Sequence, residues 1–229
     1  MQRKPVLNFY SHWRSLPVAE KKISSAVVKR LPRYYRYLSE LLENGIDRIS
    51  SQELSRRMQV TASQIRQDFN NFGGFGQQGY GYNVEILRRE IGKILGLDQT
   101  YNVIILGAGN LGQALANYSG FSKRGFVVSG IFDVAPDKIG KKIGGIEVLD
   151  RSVLRKFAAE NTVDIAALTL PKAAAPEVAG ELAGLGVHAF WNFAATDLNL
   201  PADVVVENVH LAESLMRLSY NIVNRLPHE

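Results

Sequence analysis

Three segments in the first third of the chain carry apolar residues at helical spacing. The first covers residues 31–42 and is followed by Gly45, a residue type that commonly ends helices. The second begins after Ser50, whose hydroxyl precedes a glutamate by three positions, as in a capping box. The third covers residues 61–72 and begins with Thr61 in a similar arrangement. A helix, a second short helix and a polar helix in this order predict a helix-turn-helix.

A glycine-rich segment follows at residues 73–82 and alternates glycines with aromatic and amide side chains. It predicts a β-hairpin, the wing of a winged helix-turn-helix, whose amides and tyrosines can reach phosphates or the minor groove. As a loop for a nucleotide phosphate it fits poorly, because no strand precedes it. A plain flexible hairpin is the alternative interpretation.

The polar side chains of the third helix, of the caps and of the hairpin are the candidate contacts to double-stranded DNA. An amide such as Gln67 can pair with adenine in the major groove, and a neighbouring Arg66 can bind phosphate. The candidate DNA contacts are Ser51, Thr61, Ser63, Gln64, Arg66, Gln67, Asn70, Gln77, Tyr80 and Tyr82.

The second half of the chain opens on a continuous apolar run, Tyr101–Leu106, which has the length of a buried strand. It leads into the motif G-x-G-x-x-G at residues 107–112, a predicted helix over residues 113–118 and a second strand, Phe126–Asp133, that ends in an acid. A glycine motif by itself is weak evidence. Between a strand and a helix, and with an acid 26 residues after its first glycine, it is the fingerprint of a Rossmann-type dinucleotide-binding domain.

Each position of this fingerprint has a physical reason. Gly107 allows a tight turn, Gly109 lets the backbone approach a pyrophosphate, and Gly112 packs the helix on the strand. Asp133 would accept hydrogen bonds from the hydroxyls of the adenosine ribose and would repel a 2′-phosphate, and no arginine follows it before Pro136. The sequence therefore favours NADH and NAD⁺ over their phosphorylated forms.

Further apolar runs at residues 163–170, 187–193 and 204–206, with a crossover helix over residues 176–185, predict an open parallel sheet. The carboxyl ends of its strands would line the ligand crevice, with Phe193 beside the nicotinamide. The candidate cofactor contacts are Gly107, Ala108, Gly109, Asn110, Leu111, Gly112, Asp133, Lys138, Thr169, Pro171 and Phe193.

The last segment, residues 210–226, carries leucine and isoleucine at spacings of four, three, four and four residues from Leu211 to Leu226. This stripe predicts a long amphipathic helix. Such a helix either covers its own sheet or crosses to another subunit, and the residues alone leave both arrangements open.

The charge of the chain is unevenly distributed. Its 229 residues carry a net charge of +5, but residues 1–93 hold 16 Lys and Arg against 8 Asp and Glu. A basic half is expected where one domain meets a polyanion such as DNA, although a solvated basic surface is the alternative.

There is no cysteine, no signal peptide and no apolar run of membrane-spanning length. These features predict a soluble cytoplasmic protein with no metal and no membrane partner.

Several motifs taken together resemble the Rex family of redox-sensing transcriptional repressors over residues 24–226. The resemblance implies an α/β protein, with a winged helix-turn-helix domain followed by a Rossmann-like parallel sheet. It also implies a homodimer that exchanges its C-terminal helix, and a repressor that leaves an inverted-repeat operator when NADH binds. The matching motifs are L-P-R-Y-Y-R at residues 31–36, S-S-x-x-L at 50–54, I-R-Q-D-F at 65–69, N-F-G at 71–73, G-Y-G-Y-N-V at 79–84, the glycine motif, F-D at 132–133 and N-F at 192–193.

The resemblance further implies a switch formed by an arginine of the first helix, a tyrosine after the glycine motif and an aspartate that opens the C-terminal helix. Arg36 and Tyr118 match the first two, but His210 stands in place of the acid. A neutral His210 can accept a hydrogen bond from Tyr118, yet it cannot pair with Arg36 as a carboxylate would. A surface histidine and a packed tyrosine are the alternative. A second departure is Gln67, where the family often carries Lys or Arg.

Two other functions fit parts of the sequence. An NAD-dependent oxidoreductase would need an acid or base, and none of His12, His188, His210 and His228 lies in a dehydrogenase motif, so no catalytic residue is assigned. A repressor that senses coenzyme A or another adenine nucleotide would keep the fold and change the ligand.

The predicted domains are a basic N-terminal extension (residues 1–23), a winged-helix domain (24–84), a connector helix (85–98), a Rossmann domain (99–208) and a C-terminal dimerisation helix (209–229).

Overall fold

The structure, a computed structural model, describes residues 23–71, the strand residues 76–77 and residues 80–224. The chain divides into two compact units between Leu95 and Gly96. The predicted N-terminal extension, apart from Ile23, lies outside the described residues, and so does Leu226 at the end of the predicted apolar stripe. The mixed α/β composition agrees with the prediction.

Helices and a small antiparallel sheet, in the order β1-β3-β2, make up the described part of the first unit. Both predicted hydroxyl caps are confirmed: Ser50 Oγ accepts from the N–H of Glu53, and Thr61 Oγ1 from the N–H of Gln64, each over 3.1 Å. The elements are α1 (Ser25–Glu43), β1 (Arg48–Ile49), α2 (Ser51–Met58), α3 (Ala62–Asn70), β2 (Gly76–Gln77), β3 (Gly81–Asn83) and α4 (Val84–Ile94).

The first helix is longer than the sequence pattern predicted. It begins at Ser25 and not at Leu31, because Ser24 caps it and Val27 adds one more turn to its buried stripe. Pro32 therefore lies inside the helix, where the lost hydrogen bond costs about 3 kcal/mol. Burial of each large side chain of the stripe contributes about 1.5–3 kcal/mol, so the continuous helix is favoured.

The helix α4 is part of the first unit and not a connector. Val84, Leu87 and Ile91 lie on one side of it and are fully buried in the same apolar cluster as the stripe of α1. The cause is its amphipathic pattern, since an apolar face of this width must be covered by another element. The change of unit consequently falls after Leu95, at Gly96, inside the segment predicted as a connector.

A seven-stranded sheet in the order β10-β9-β8-β4-β5-β7-β6 organises the second unit. All neighbours are parallel except β6 and β7, so the predicted parallel sheet has one antiparallel edge. The elements are β4 (Tyr101–Leu106), α5 (Asn110–Ala116), β5 (Phe126–Asp133), β6 (Lys142–Ile143), β7 (Ile146–Asp150), α6 (Leu154–Glu160), β8 (Ile165–Leu168), α7 (Ala175–Gly184), β9 (Ala189–Asn192), β10 (Val205–Asn208) and α8 (Leu211–Asn224).

The hairpin of β6 and β7 was missing from the sequence prediction. Its turn is Gly144-Gly145, with φ angles of +59° and +85°, and a Gly-Gly pair is a recognised signal for such a two-residue turn. The strands themselves are short and partly exposed, which is why their apolar pattern is weak. The two long strands at the centre, β4 and β5, have the predicted bounds.

The apolar side of α8 is exposed in the single chain. None of its described residues is buried, and Leu211, Leu215, Leu218 and Ile222 are between 49% and 67% exposed. The sequence left open whether this helix covers its own sheet or crosses to another subunit. In the single chain it does not cover its own sheet.

The middle of α7 offers a stability test. A Cβ added at Gly180 would meet no atom within 4 Å, and this glycine is exposed with an ordinary helical backbone. We expect Gly180→Ala to raise the free energy of unfolding of the second unit by about 0.5–1 kcal/mol, because glycine loses more backbone entropy in a helix than alanine does. Urea titration followed by the fluorescence of Trp191, in a Trp13→Phe background, measures it. A decrease in stability would contradict the open space described at Gly180.

Candidate functional site

One face of α3 is polar and exposed. Ser63, Arg66, Gln67 and Asn70 are separated by three, one and three residues, so they share one side of the helix, and all four are exposed. The opposite side is buried in the apolar cluster of the first unit. These four predicted DNA contacts therefore lie where a large ligand can reach them.

The N-terminus of α2 lies next to this face. Arg66 Nη1 donates to Ser51 Oγ over 3.0 Å, and Ser51 is the first residue of α2. Thr61 uses its oxygen as the cap of α3 and keeps its O–H as a donor. A guanidinium, hydroxyl donors and a helix N-terminus form a set suited to phosphate groups.

Two predicted DNA contacts are held by the interior of the unit. Tyr82 on β3 is only 8% exposed and packs edge-to-face on Phe69, with ring centroids 5.0 Å apart. We therefore correct the prediction for Tyr82, because aromatic residues between glycines look alike in sequence whether they are buried or exposed. Gln64 is half-buried, and its Nε2 donates to Asp68 over 2.9 Å, so its amide nitrogen is turned toward the interior.

The hairpin prediction is confirmed for the backbone that the structure describes. Gly76 and Gln77 pair with β3 in antiparallel register, whereas the side chain of Gln77 and residues 72–75 and 78–79 lie outside the described residues. Tyr80 is 71% exposed. Arg48 on β1 is not among the predicted DNA contacts, yet its guanidinium lies 6.0 Å from the ring centroid of Tyr80. Only the pairing of β1 with β3 brings this basic group to the hairpin.

The largest omission in the first unit is Asp68. This carboxylate on α3 is fully buried and accepts from Arg30 Nε and Nη2, both at 2.7 Å, and from Tyr34 Oη at 2.8 Å, in addition to the bond from Gln64. Burial by itself raises its pKa, but the hydrogen bonds from Arg30, Gln64 and Tyr34 more than offset this, so the pKa lies below its ordinary value. An aspartate between Gln67 and a buried phenylalanine gives no sequence signal of this role.

Three chain segments approach one another closely at the glycine motif. A Cβ on Gly107 would lie 2.7 Å from the carbonyl oxygen of Thr169, and one on Gly112 would clash with the carbonyl oxygen of Gly107. Thr169 Oγ1 lies 2.9 Å and 2.8 Å from the carbonyl oxygens of Leu106 and Gly107, which share its single O–H donor. The contacts at Gly112 agree with its predicted packing role, and the φ angle of +103° at Gly107 agrees with the predicted tight turn. In this structure the hydroxyl of Thr169, a residue predicted as a cofactor contact, is bonded to the glycine loop.

The next glycine of the motif faces open space. A Cβ on Gly109 would meet no protein atom within 4 Å. Gly109 is the N-cap of α5, no side chain caps this helix, and the first N–H groups after it, including those of Asn110 and Leu111, have no acceptor within the helix. The loop thus provides room and N–H donors at the position where the sequence predicts a pyrophosphate.

Asp133 at the end of β5 fixes the glycine loop from the other side. Its Oδ2 accepts from the N–H of Ala108 at 2.6 Å and from Lys138 Nζ at 3.3 Å, and its Oδ1 from the N–H groups of Val134 and Ala135, both at 2.8 Å. Burial raises its pKa, but the bonds from Ala135, Ala108 and Lys138 more than offset this and lower it. Ala108, predicted as a cofactor contact, is buried and directs its N–H to this carboxylate, so we correct that prediction.

The carboxyl ends of β8 and β9 lead to an open cavity of about 320 Å³. Phe193, directly after β9, is half-buried and lies against Trp191, with ring centroids 4.5 Å apart, while Pro171 is exposed. The cavity is lined by Lys172, Ala195, Thr196, Asp197 and His210.

Asn192 is a further residue that the sequence analysis did not single out as a site residue. It is fully buried at the end of β9, where its Nδ2 donates to the carbonyl oxygen of Thr196 and to Asn208 Oδ1, both at 2.8 Å. Its Oδ1 accepts from the N–H of Ala194 over 3.0 Å. One side chain thereby shapes the loop that lines the cavity.

The three predicted switch residues fall in different units. Arg36, in the first unit, is exposed and forms a long ion pair of 3.8 Å with Glu40. Tyr118, in the second, is 57% exposed and packs against Phe121, with ring centroids 4.7 Å apart. His210 accepts the N–H of Glu213 with its carbonyl oxygen at the start of α8.

Residues 23–71 and 80–224 contain neither a metal-binding cluster nor a membrane-spanning helix. No group of three or more histidine, aspartate or glutamate residues in these ranges could hold a metal ion. No helix there has the length and apolarity needed to span a membrane.

Two family models match the chain, one in each unit. The model described as "Putative DNA-binding protein N-terminus" matches residues 22–70, which contain α1, α2 and α3. The model described as "CoA binding domain" matches residues 98–196, which contain the glycine motif and most of the sheet.

Similarity to individual proteins extends over both units. The redox-sensing transcriptional repressor Rex of Thermoanaerobacter pseudethanolicus is 58% identical over 201 residues, which cover 88% of this chain and 90% of that relative. A crystal structure of RSP in complex with β-NAD⁺ and operator DNA superimposes with a TM-score of 0.84 at 56% identity, covering 90% of this chain and 94% of the other. RSP in complex with β-NADH gives a TM-score of 0.82 at 54% identity, with 90% and 96% covered.

RSP is described as a Rex-family repressor, and the N-terminal DNA-binding domain and the C-terminal Rossmann-like sheet are confirmed as the fold of this chain. The relatives are named as transcriptional repressors and not as oxidoreductases, so an enzyme reading is not favoured. This chain belongs to the Rex family of redox-sensing transcriptional repressors.

Proposed function

We propose that this chain represses transcription by binding operator DNA through its first unit and senses the NADH/NAD⁺ balance through its second. It leaves the operator when NADH binds. The observation that carries the proposal is that one chain combines an exposed polar face on α3 with a glycine loop that has room and N–H donors for a pyrophosphate. Because a repressor acts where the operator DNA lies, we place the protein in the cytoplasm.

The dinucleotide would lie along the glycine loop and the carboxyl ends of the strands. The open space at Gly109 and the N–H groups of Asn110 and Leu111 suit the pyrophosphate. Asp133 would accept from the adenosine ribose. In this structure four donors occupy the acceptor positions of Asp133. A ribose hydroxyl would therefore replace the donor with the longest hydrogen bond, Lys138 Nζ at 3.3 Å, whose side chain is 33% exposed. A 2′-phosphate would meet the charge of Asp133 at short range, which disfavours NADPH.

The reduced and oxidised cofactors differ at the nicotinamide. The ring of NAD⁺ carries a positive charge that must be desolvated, whereas the dihydronicotinamide of NADH is neutral. We place this ring near Phe193 and Pro171, beside the cavity, where contact with these two apolar side chains favours the neutral form. Only this difference in affinity can shift the equilibrium between the DNA-bound and free states.

Equilibrium titration with NADH, NAD⁺, NADPH and coenzyme A tests the ligand. We expect NADH to bind most tightly, NAD⁺ more weakly and NADPH more weakly than NADH, with no turnover of any of them. The coenzyme A arm is needed because the model matching residues 98–196 is described as a CoA binding domain. Tighter binding of coenzyme A than of both NADH and NAD⁺ would replace the proposed ligand.

The exposed face of α3 is proposed to enter the major groove. Gln67 presents one donor and one acceptor, which match adenine N6 and N7, and Arg66 beside Ser51 binds phosphate. Ser63 and Asn70 complete the face, and the hairpin with Tyr80 and Arg48 contacts the neighbouring backbone or groove.

A homodimer is proposed from the apolar side of α8. Exposed leucines and an isoleucine at helical spacing form a surface that a soluble protein normally covers. A second copy of the chain, related by a two-fold axis, would cover it and would match an operator built as an inverted repeat.

For the coupling between DNA and dinucleotide we propose Arg36, Tyr118 and His210. The guanidinium of Arg36 forms a long, exposed ion pair with Glu40 and lies 5.2 Å from the ring centroid of Tyr37, and such exposed contacts can be exchanged at low cost. His210 lines the cavity beside the proposed nicotinamide position, and Tyr118 is exposed after α5.

The first prediction from this model concerns Gly109. Gly109→Ala should leave stability nearly unchanged, because its Cβ meets no protein atom, but should weaken NADH about tenfold or more by filling the space for the pyrophosphate. Gly180→Ala is the matched control and should bind NADH like the wild type. Fluorescence titration and thermal unfolding measure the two effects. Unchanged NADH affinity in Gly109→Ala would place the pyrophosphate elsewhere.

The second prediction concerns base reading. Gln67→Lys should shift the preference at one base pair of each half-site from A·T toward G·C by about 1–3 kcal/mol, because lysine offers only donors. Arg66→Ala should weaken all duplexes alike and lower the salt dependence. Selection from a randomised half-site library with wild type and both variants measures this. If Gln67→Lys keeps the wild-type preference at every position, Gln67 does not read the sequence.

The third prediction concerns assembly. Deleting residues 210–229 should abolish the dimer, because it removes α8 and its apolar side. Leu215→Glu, which keeps the helix and charges the middle of the stripe, should weaken the dimer as well. Light scattering over a range of concentrations measures both. An unchanged dimer in both variants would show that other surfaces join the subunits.

A further inference from the structure

Asp68 joins the polar face of α3 to the interior of the first unit. It lies on α3, and two of its donors, Arg30 and Tyr34, lie on α1. The guanidinium of Arg30 binds both carboxylate oxygens at 2.7 Å, a bidentate arrangement that fixes the rotation of one helix against the other. The fourth bond comes from Gln64, one turn before Asp68 on α3.

Stability alone does not account for this cluster. Replacing a buried ion pair by apolar side chains of similar volume is often neutral or stabilising, because the desolvation of two charges is avoided. The surrounding side chains are apolar, and Phe69 packs against the ring of Tyr34 with centroids 4.9 Å apart. What the ion pair adds is a fixed geometry.

The chemistry of the carboxylate fixes the orientation of one amide. Hydrogen bonds hold the pKa of Asp68 below its ordinary value despite burial, so at neutral pH the group is ionised and can only accept. Gln64 must therefore turn its NH₂ group toward Asp68, and its carbonyl oxygen Oε1 is directed away from the carboxylate. A free surface glutamine has no such constraint and can present either end.

Gln64 lies at the edge of the exposed face. It follows Ser63 and precedes Gln67 by three residues, and it is half-buried whereas those two are exposed. The carbonyl oxygen of Gln64 is consequently held on the side away from Asp68, where it can serve as an acceptor at this edge. Phosphate oxygens carry no donor, whereas adenine N6 and cytosine N4 present amino groups in the major groove.

We propose that Asp68 is a positioning residue for operator recognition: it sets the α3 face on α1 and orients Gln64 as a fixed acceptor for a base amino group. The inference rests on the proposed function, in which α3 binds DNA. It adds a base-reading role to Gln64 that depends on a residue with no access to DNA.

The test compares two duplexes. One is the sequence that the wild-type protein selects from a randomised inverted-repeat library, and the other is a scrambled duplex of the same composition. Asp68→Asn should lower the ratio of the two affinities about tenfold or more and should broaden the base preference opposite Gln64, since asparagine can also donate and lets that amide flip. Binding to the scrambled duplex should change little.

The control is Glu43→Gln, which makes the same change in net charge at an exposed position at the end of α1. It should leave the affinity ratio unchanged. If Asp68→Asn lowers only the melting temperature and keeps the ratio and the base preference of the wild type, Asp68 has a structural role alone and the proposal is wrong.

Gln64→Met keeps the proposal testable if Asp68→Asn does not fold. Methionine retains the length and helix propensity of glutamine but has no amide, so the preference at one base pair per half-site should be lost while the others remain. Retention of that preference would overturn the acceptor role. Failure of the wild type to select any sequence would instead remove the proposed function, so the two failures are distinguishable.

Discussion

A carboxylate can be buried in ionised form only when donors fill its acceptor positions, and this constraint organises both units. In the part of the chain that the structure describes, Asp68 and Asp133 are the only charged side chains that are buried, and each accepts four hydrogen bonds. Asp68 holds the polar helix against α1. Asp133 holds the glycine loop through the N–H of Ala108. A buried carboxylate therefore holds each proposed ligand-binding element in place through hydrogen bonds from protein groups alone, without any contribution from a ligand.

Anchoring from the interior leaves the ligand side free for recognition. On α3 the buried side is apolar plus Asp68, and the exposed side carries Arg66 and Gln67. In the glycine loop the close contacts at Gly107 and Gly112 are satisfied by protein atoms, whereas the position of Gly109 is open. A substitution on the interior side is thus expected to change geometry, and one on the open side is expected to change binding without changing the fold.

Local patterns predicted those parts of the fold that depend on nearby residues. Spacings of a few residues determine the caps Ser50 and Thr61 and the central strands β4 and β5. The glycine motif is recognised directly from its sequence. Asp68 could not be found, because its partner Arg30 is 38 residues away and a polar residue on a helix is usually exposed. The burial of Tyr82 likewise depends on packing against Phe69, which no spacing encodes.

In the proposed function, the dinucleotide bound to the second unit sets the affinity of the first unit for operator DNA. The decisive measurement is operator affinity on the selected duplex while NADH replaces NAD⁺ at constant total dinucleotide. We expect the protein to stay bound in NAD⁺ and to be released as the NADH fraction rises, and we expect Gly109→Ala to need a higher NADH fraction for release. Operator affinity that is independent of the NADH fraction, in a protein shown to bind NADH, would contradict it.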